Sequence, residues 1–186
     1  MNFPTHFPVL TTARLVLRET AAHDVEGIFA LESDPVAMRY WSKPPMRDIA
    51  EAQAAVERAM GFFADGNLRW AITRPGEDRL LGHVSLFSFS EQNGRAEIGY
   101  GLARAHWGQG FMHEALTAVV DYAFGTLGLR RIEADTHPGN QASLRALERL
   151  GFTREGLLRE RWQVGEEISD SAVLGLLARE WSPKRS

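Results

Sequence analysis

The chain has 186 residues, 44% of them hydrophobic and 24% charged, which fits one ordinary folded domain. No apolar stretch approaches the roughly 18 residues of a membrane-spanning helix, and the N-terminus lacks the features of a secretory signal. We therefore expect a cytoplasmic protein without a membrane partner. The absence of cysteine excludes disulfides, zinc–thiolate sites and thiol nucleophiles, and a formal net charge of −3 argues against direct nucleic-acid binding.

Apolar periodicity predicts the elements of the first half of the chain. Residues 14–18 alternate as in a strand, and a helix follows over 23–32. The inward residues of this helix are expected to be Val25, Ile28, Phe29 and Ala30. A second helix is predicted after Asp48 as its N-cap, with an apolar stripe made of Ile49, Ala52, Val56, Ala59, Met60 and Phe63. Turn signals then separate three strands of an antiparallel meander, at 70–73, 80–89 and 95–102.

The second half returns to a helical period before it closes on strands. The predicted elements are a helix over 112–127 ended by Gly128, a strand over 132–136, a helix over 141–150 with Asn140 as N-cap and Gly151 at its end, and strands over 153–164 and 168–178 that meet at Gly165. The order β α α β β β α β α β β predicts a single α/β (α+β) domain over residues 1–186. Its mixed sheet has about seven strands and carries about four helices on its two faces. Residues 1–10 and 182–186 are expected to be flexible ends.

The segment from Glu97 to Leu116 is the most informative part of the sequence, because a strand leads through a glycine loop into an amphipathic helix. Gly108 and Gly110 let the backbone turn so that its N–H groups converge, and the helix N-terminus adds partial positive charge. This arrangement suits a diphosphate, although the same glycines could form a simple turn. A Walker loop and a Rossmann fingerprint would both need residues that the segment lacks.

A second informative segment covers residues 135–152, and together the two resemble the GNAT N-acetyltransferase superfamily, in the branch of the ribosomal-protein alanine N-acetyltransferases. The motifs that carry this resemblance are Glu97-Ile98-Gly99-Tyr100, Trp107-Gly108-Gln109-Gly110, Glu114-Ala115-Leu116, Asn140-Gln141-Ala142-Ser143 and Leu150-Gly151-Phe152. The resemblance covers nearly the whole chain. It implies acetyl-coenzyme A as cosubstrate, no metal, and direct transfer to a primary amine, either a protein N-terminus or a small molecule; a homodimer is allowed. A coenzyme A or acyl-coenzyme A binding sensor without turnover is the alternative.

The resemblance also assigns the cofactor-binding residues. The strand end is expected to pair with the pantetheine arm and the glycine loop to hold the pyrophosphate. The start of the helix predicted over 141–150 is expected to bond the arm again. These residues are Gly101, Leu102, Ala103, Trp107, Gly108, Gln109, Gly110, Phe111, Met112, His113, Asn140 and Ser143. The family has Gln or Arg in place of Trp107 and Gly or Ala in place of Met112. Structural alternatives are a plain N-cap for Asn140 and a bulge at Gly99 and Gly101.

Acyl transfer to an amine needs a base and a proton for the departing thiolate. The resemblance gives the second task to Ser143, where many relatives use a tyrosine. Strand alternation places Glu97 on the face opposite Ile98 and Tyr100, so Glu97 is the preferred base. In the alanine-acetylating relatives the base is a closing-strand Glu, and Trp162 stands at that position here. Glu160, two residues earlier, is therefore the alternative base. The structural alternatives are that Ser143 is only a first-turn serine and that Glu97 and Glu160 are ordinary surface charges of the sheet.

The acceptor pocket is expected to include Tyr40, Trp41, Glu97 and Trp162. Tyr40 and Trp41 belong to the segment between the first two helices, and their rings could equally seal an edge of the core. No metal site is expected, because none of the candidate histidines has a partner at metal-ligand spacing. The candidates are His83, His106, His113 and His137.

Overall fold

The computed structural model describes residues 1–61 and 66–182, which contain eight strands and four α-helices. The strands are β1 Leu10–Thr11, β2 Val16–Glu19, β3 Leu68–Arg74, β4 Glu77–Ser90, β5 Arg95–Leu102, β6 Arg131–Thr136, β7 Thr153–Val164 and β8 Glu167–Leu177. The helices are α1 Val25–Glu32, α2 Ile49–Ala59, α3 Phe111–Gly125 and α4 Gln141–Arg149. The predicted element order is confirmed, with the short β1 added at the beginning. Phe63 and residues 183–186 lie outside the described residues.

The eight strands form one mixed sheet in the order β1-β2-β3-β4-β5-β6-β8-β7. Within the described ranges every neighbouring pair is antiparallel apart from β5 and β6, which run parallel. The ladder between β5 and β6 comprises only three residue pairs, from Arg95↔Arg131 to Glu97↔Glu133. Both strands continue beyond these pairs, to Leu102 and Thr136. They therefore separate in the middle of the sheet and leave a gap between them.

Helices cover both faces of the sheet, as the sequence predicts. On one face Leu116 of α3 and Leu147 of α4 belong to the large buried cluster that also contains Ile98 of β5. On the other face Ile28 of α1 and Val56 of α2 form a smaller cluster with residues of β3 and β4. No helix among the described residues is both long and apolar enough to cross a bilayer.

The predicted caps of α2 and α4 are confirmed. The Asp48 carboxylate accepts hydrogen bonds from the backbone N–H groups of the first turn of α2, and the Asn140 side chain accepts one from the N–H of Ser143. Gly151 ends α4 with a φ of +95°, which an L side chain rarely adopts. These local signals place the start of α4, and with it Ser143, at the end of β6.

Several element boundaries and orientations differ from the prediction. Helix α2 ends at Ala59, and Met60 is extended (φ −72°, ψ 144°) and 40% exposed, because the chain turns at Gly61 with a φ of +97°. Helix α3 also ends before the predicted boundary, at Gly125. In α1 the expected inward residue Ala30 is exposed, whereas Glu32 is fully buried.

The expected flexible segment 1–10 packs against the domain instead. The backbone N–H of Asn2 donates to the carbonyl of Leu127 at 2.9 Å, and the indole of Trp70 donates to the carbonyl of Pro8 at 2.7 Å. Phe7 also packs edge to face on Trp70, with ring centroids 5.8 Å apart. A buried indole N–H needs an acceptor, and the N-terminal segment supplies it.

Glu114, in the first turn of α3, fastens the turn between β1 and β2 to this helix. Its carboxylate accepts hydrogen bonds from the Thr12 hydroxyl at 2.6 Å and from the Arg14 backbone N–H at 2.9 Å, and it pairs with the Arg14 guanidinium at 2.7 Å. Burial alone raises the pKa of Glu114, but the bonds from Thr12 and Arg14 outweigh burial and lower this pKa below its ordinary value. Ionised Glu114 therefore stabilises the fold.

Glu114→Gln is expected to lower the free energy of unfolding by about 1–2 kcal/mol at pH 7, since hydrogen bonds to a charged group are lost. A depressed pKa gives stability that is present above the unfolded pKa, about 4.3, and is lost as pH falls through the folded value. The difference from wild type should therefore shrink below pH 4 in denaturant titrations. Glu148→Gln, at an exposed position of α4, is the control. Equal losses for the two variants at pH 7 would contradict this role.

Candidate active site

The gap between β5 and β6 exposes an edge of backbone in the middle of the sheet. The N–H of Ala103 donates to the Leu81 carbonyl on β4 at 2.9 Å. Because residues of an antiparallel strand alternate in the direction of their backbone groups, those of Leu102 and Tyr100 face the gap. The indole of Trp107 donates to the Leu102 carbonyl at 2.7 Å, which agrees with that direction. Of the three expected strand-end residues, Leu102 alone turns both its backbone groups toward the gap, since Gly101 and Ala103 alternate toward β4.

The glycine loop leads from this edge to the N-terminus of α3. Gly108 has a φ of +73° and Gly110, the N-cap of α3, a φ of +80°. No side chain caps this helix end, so the first-turn N–H groups of Phe111, Met112 and His113 have neither an intrahelical acceptor nor a capping side chain. Converging N–H groups and the positive end of the helix form an anion site.

Two arginines that the sequence does not mark out lie beside the loop, and since Arg14 is paired with Glu114, the added positive charge comes from Arg74. The Arg14 guanidinium donates to the Gln109 carbonyl at 3.0 Å and lies 4.8 Å from the centre of the Phe111 ring, and the Arg74 guanidinium lies 5.1 Å from the same ring. Burial and the charges of Arg74 and Arg79 lower the pKa of His106, the last residue of a 3₁₀ turn before the loop. The surroundings of the loop therefore favour a phosphate.

The first turn of α4 brings Ser143 to Tyr100. The Ser143 hydroxyl lies 2.8 Å from the Tyr100 hydroxyl, and either can donate. Burial raises the pKa of Tyr100 to about 12, although the bond to Ser143 opposes this rise. Both hydroxyls are therefore protonated at neutral pH. In the sequence Tyr100 and Ser143 belong to separate elements. They meet in the structure because β5 separates from β6, so that Tyr100 of β5 reaches α4.

A cavity of about 720 Å³ lies beside this hydroxyl pair. Its walls come from the segment between α1 and α2, from β4 and β5, from the start of α4 and from the β7–β8 hairpin. The expected site residues that line it are Tyr40, Trp41, Asn140, Ser143 and Trp162. Tyr40 stacks on His137 with ring centroids 4.9 Å apart, so the aromatic segment does form a wall of the cavity. Glu97 and Glu160 are not among the lining residues.

Glu97 nevertheless lies on the cavity side of β5. It pairs in register with Phe87 of β4, and alternation puts it on the same face as Gly99; both Phe87 and Gly99 line the cavity. Within residues 1–61 and 66–182 its carboxylate makes no hydrogen bond or ion pair. The Glu97 carboxylate is therefore unpaired within the described residues and lies next to strand residues that line the cavity.

Glu160 sits in an irregular part of β7. The register shifts between Leu158↔Ser171 and Trp162↔Ser169, and Glu160 itself has a φ of +51°. Its backbone N–H donates to the Asp170 carboxylate at 2.9 Å. The expectation that Glu160 and Trp162 share a face assumed strict alternation, and the bulge interrupts that alternation.

Gly101 makes room for Trp41. A Cβ at this position would lie 2.7 Å from the Trp41 ring and 3.4 Å from the Leu31 side chain. The close approach of Trp41 to the strand therefore explains the glycine, and β4 and β5 pair here without the register shift of a bulge. Trp41 in turn lies edge to face with His83, with ring centroids 5.6 Å apart.

A polar cluster under Trp41, with Glu32 and His83 as its buried members, is absent from the sequence-based prediction. It joins Glu32, Lys43, Arg69 and His83, all of which line the cavity. Burial lowers the pKa of His83 to about 4, and the positive charge of Arg69 acts in the same direction. Burial opposes ionisation of Glu32, but its contacts with His83 and Lys43 lower the pKa of Glu32 below its ordinary value. At neutral pH Glu32 is therefore charged and His83 neutral.

A sheet that splits between two central parallel strands, with a glycine loop at the next helix N-terminus, defines a class of acyltransferases that bind coenzyme A. Residues 14–153 match the family model described as "Acetyltransferase (GNAT) domain". The chain belongs to the GNAT acetyltransferase family and is an N-acetyltransferase. This confirms the resemblance, the fold and the enzyme class predicted from the sequence. Members of the family take the acetyl group from acetyl-coenzyme A.

Similar proteins span the whole domain. The chain is 35% identical to the uncharacterized N-acetyltransferase p20 of Bacillus licheniformis, over 93% of this chain and 98% of that protein. It is 29% identical to the [ribosomal protein uS5]-alanine N-acetyltransferase of Escherichia coli, over 95% and 94% of the two chains. The structure of spermidine N-acetyltransferase from Vibrio cholerae in complex with coenzyme A and spermine superposes with a TM-score of 0.79 at 24% identity, over 91% of this chain and 98% of that one.

Proposed function

We propose that this chain transfers an acetyl group directly from acetyl-coenzyme A to a primary amine held in the cavity. The observation that carries this proposal is a continuous path from the α3 N-terminus to the cavity. The α3 N-terminus, the open edge at Leu102 and Tyr100, and the Ser143 hydroxyl follow one another and end at the cavity. A long thioester lying along this path presents its acyl group to a molecule in the cavity.

The residues present fit coenzyme A. The pyrophosphate takes the N–H groups from Gly108 to His113, and the pantetheine arm pairs with the backbone of Tyr100 and Leu102 as a strand would. The Trp107 indole bonds the Leu102 carbonyl, but a carbonyl oxygen has two lone pairs and can accept a second bond. Asn140 uses its carbonyl oxygen for the helix cap and keeps its amide N–H groups for the arm.

The proposed reaction begins when Glu97, acting through a water molecule, accepts a proton from the ammonium form of the acceptor. The neutral amine nitrogen then attacks the thioester carbonyl carbon, and a C–N bond forms. The tetrahedral intermediate loses its second N–H proton to solvent, and the C–S bond breaks as it collapses. The Ser143–Tyr100 hydroxyl pair donates a proton to the departing thiolate, and the products are an amide and free coenzyme A.

Gly110→Ala is expected to weaken acetyl-coenzyme A binding about 10-fold. An alanine with positive φ costs roughly 1–2 kcal/mol, and its Cβ would lie 3.3 Å from the Arg14 guanidinium, so the loop relaxes away from the anion-binding geometry. Gly76→Ala is the matched control, because Gly76 also has a positive φ, +77°, but lies in the β3–β4 turn. Calorimetric titration with acetyl-coenzyme A measures both variants. Equal affinities of the two variants for acetyl-coenzyme A would contradict the assignment of the glycine loop to cofactor binding.

Thiol release from acetyl-coenzyme A tests the proposed function across amine classes. The panel should contain peptides with a free N-terminal alanine, polyamines and amino acids, because the relatives act on a ribosomal protein or bind spermine. Release of coenzyme A together with the acetylated amine, identified by mass, supports the proposal. Tight acetyl-coenzyme A binding without release for any amine would favour the sensor, an alternative that Trp162, at the position expected for the base, permits.

A further inference from the structure

Two aromatic rings meet across the gap in the sheet. Tyr40 and His137 stack with ring centroids 4.9 Å apart and an angle of 29° between their planes. Tyr40 lies in the segment between α1 and α2, whereas His137 directly follows Thr136, the last residue of β6. Strand β6 in turn pairs with β8, on the far side of the gap from β5. The stack therefore joins the segment between α1 and α2 to the β6 side of the sheet.

The segment around Tyr40 is attached to the β5 side of the gap. Trp41 lies edge to face with His83 of β4, with ring centroids 5.6 Å apart. A Cβ at Gly101 of β5 would lie 2.7 Å from the same indole ring. Because these contacts hold the segment against β4 and β5, the Tyr40 ring reaches His137 by extending over the gap.

His137 belongs to the turn that leads from β6 into α4. Its Nδ1 accepts a hydrogen bond from the backbone N–H of Gly139 at 2.9 Å, and its carbonyl accepts one from the N–H of Asn140 at 2.8 Å. A Cβ at Gly139 would lie 3.0 Å from His137 Nδ1 and 3.5 Å from the Tyr40 ring, so the turn passes close to both rings. Asn140 caps α4 by accepting from the N–H of Ser143 at 3.1 Å. Short bonds thus connect His137 to the residue proposed as proton donor.

Both rings of the stack line the cavity, and so does Ser143. The wall formed by Tyr40 and the hydroxyl of Ser143 therefore belong to opposite sides of the gap. Acyl transfer requires the amine nitrogen to approach the carbonyl carbon in a defined geometry, and a displacement of about 1 Å can cost roughly 100-fold in rate. A direct contact across the gap keeps the two sides of the cavity at a fixed separation.

We infer that His137 is a positioning residue, whose ring holds Tyr40, and with it one wall of the cavity, at a fixed distance from Ser143. The inference rests on the proposed function and adds to it a residue that orients the amine. His137 acts here through ring contact, which an apolar aromatic ring also supplies. Its bond from the Gly139 N–H is exposed, so water can replace it.

Two substitutions of His137 test this role with three acceptors, alanylalanylalanine, spermidine and phenylalanine. His137→Ala should lower kcat/KM for the amine that reacts by roughly 10-fold, the upper range of what an aromatic pair contributes. His137→Phe should restore most of this loss, because the ring contact remains. The dissociation constant of acetyl-coenzyme A should stay close to that of wild type in both variants. An equal loss in both would contradict the inference and assign a polar role to the imidazole.

A double-mutant cycle shows whether the stack itself is responsible. Tyr40→Ala combined with His137→Ala should cost little more than either substitution alone, because each removes the same contact. Phe87→Ala is the matched control, since Phe87 lines the same cavity but is in register with Glu97, where β5 and β6 still pair. Its effect should add to that of His137→Ala. Additive losses for Tyr40 and His137 would overturn the inference.

Failure of this inference and failure of the proposed function give different results. Tyr40 and His137 are half-buried, so their variants are expected to fold, and calorimetric titration with acetyl-coenzyme A checks this. If an amine is acetylated and His137→Ala reacts like wild type, the inference is wrong and the proposed function stands. If the wild-type protein binds acetyl-coenzyme A but releases no thiol with any of the three amines, the proposed function fails and the inference fails with it.

Discussion

Ser143→Ala is expected to lower kcat about 10²–10⁴-fold, because positioned acids contribute on this scale and the thiolate would leave without its proton. Tyr100→Phe should have an effect of similar size, since the two hydroxyls lie 2.8 Å apart and form one donor unit. The KM for acetyl-coenzyme A should change far less than kcat, because the proton is needed only as the C–S bond breaks.

The double variant and a second tyrosine complete this test. Removing both hydroxyls should cost little more than removing one, as expected for residues that act as a unit. Tyr122→Phe is the control, because its hydroxyl is also buried but has no partner among the described residues and lies on α3. A normal kcat for Ser143→Ala with a low kcat for Tyr100→Phe would give the role to the tyrosine. Normal rates for both would return Ser143 to a purely structural position in the first turn.

Glu97→Gln is expected to depress kcat about 10²–10⁴-fold at neutral pH, with partial recovery in alkaline buffer. The acceptor must be a neutral amine before it attacks, and without the base only the fraction already deprotonated in solution reacts. That fraction rises with pH. Glu160→Gln should resemble wild type, because Glu160 lies in the β7 bulge, whereas Glu97 lies on β5, the strand proposed to pair with the pantetheine arm.

A pH–rate profile of both variants decides between the two carboxylates. A normal Glu97→Gln profile beside an inactive Glu160→Gln enzyme would reverse the assignment. If both profiles are normal, the proton acceptor is neither residue, and Asp135→Asn becomes the next variant, because Asp135 is a carboxylate that lines the cavity from β6.

Local signals in the sequence predict most of what positions the site. Asp48 and Asn140 mark helix starts through side-chain bonds to residues two or three positions away, and the glycines at 108 and 110 indicate the turn that leads into α3. Such features depend on short-range chemistry, and the sequence therefore shows them directly. The element order and the family resemblance rest on the same signals.

The remaining features of the site depend on register and packing. Tyr100 meets Ser143 only because β5 and β6 separate after three residue pairs. Glu160 lies where a bulge adds residues to β7 and interrupts the alternation, and periodicity does not reveal a bulge. The cluster around Glu32 joins three elements and the segment between α1 and α2, and no local pattern links them. The homodimer allowed by the resemblance stays a prediction.

The short ladder between β5 and β6 has a consequence for the lifetime of the protein. Strands β1–β5 and β6–β8 are two smaller sheets joined by three residue pairs and by shared helices, and a bound pantetheine arm would supply the missing length of strand. A ligand at 100 times its dissociation constant adds about 2.7 kcal/mol to the stability of the folded state. If acetyl-coenzyme A binds along this seam as proposed, the stabilisation is lost when acetyl-coenzyme A and coenzyme A are both scarce, and the fraction of unfolded chain open to proteases is expected to rise.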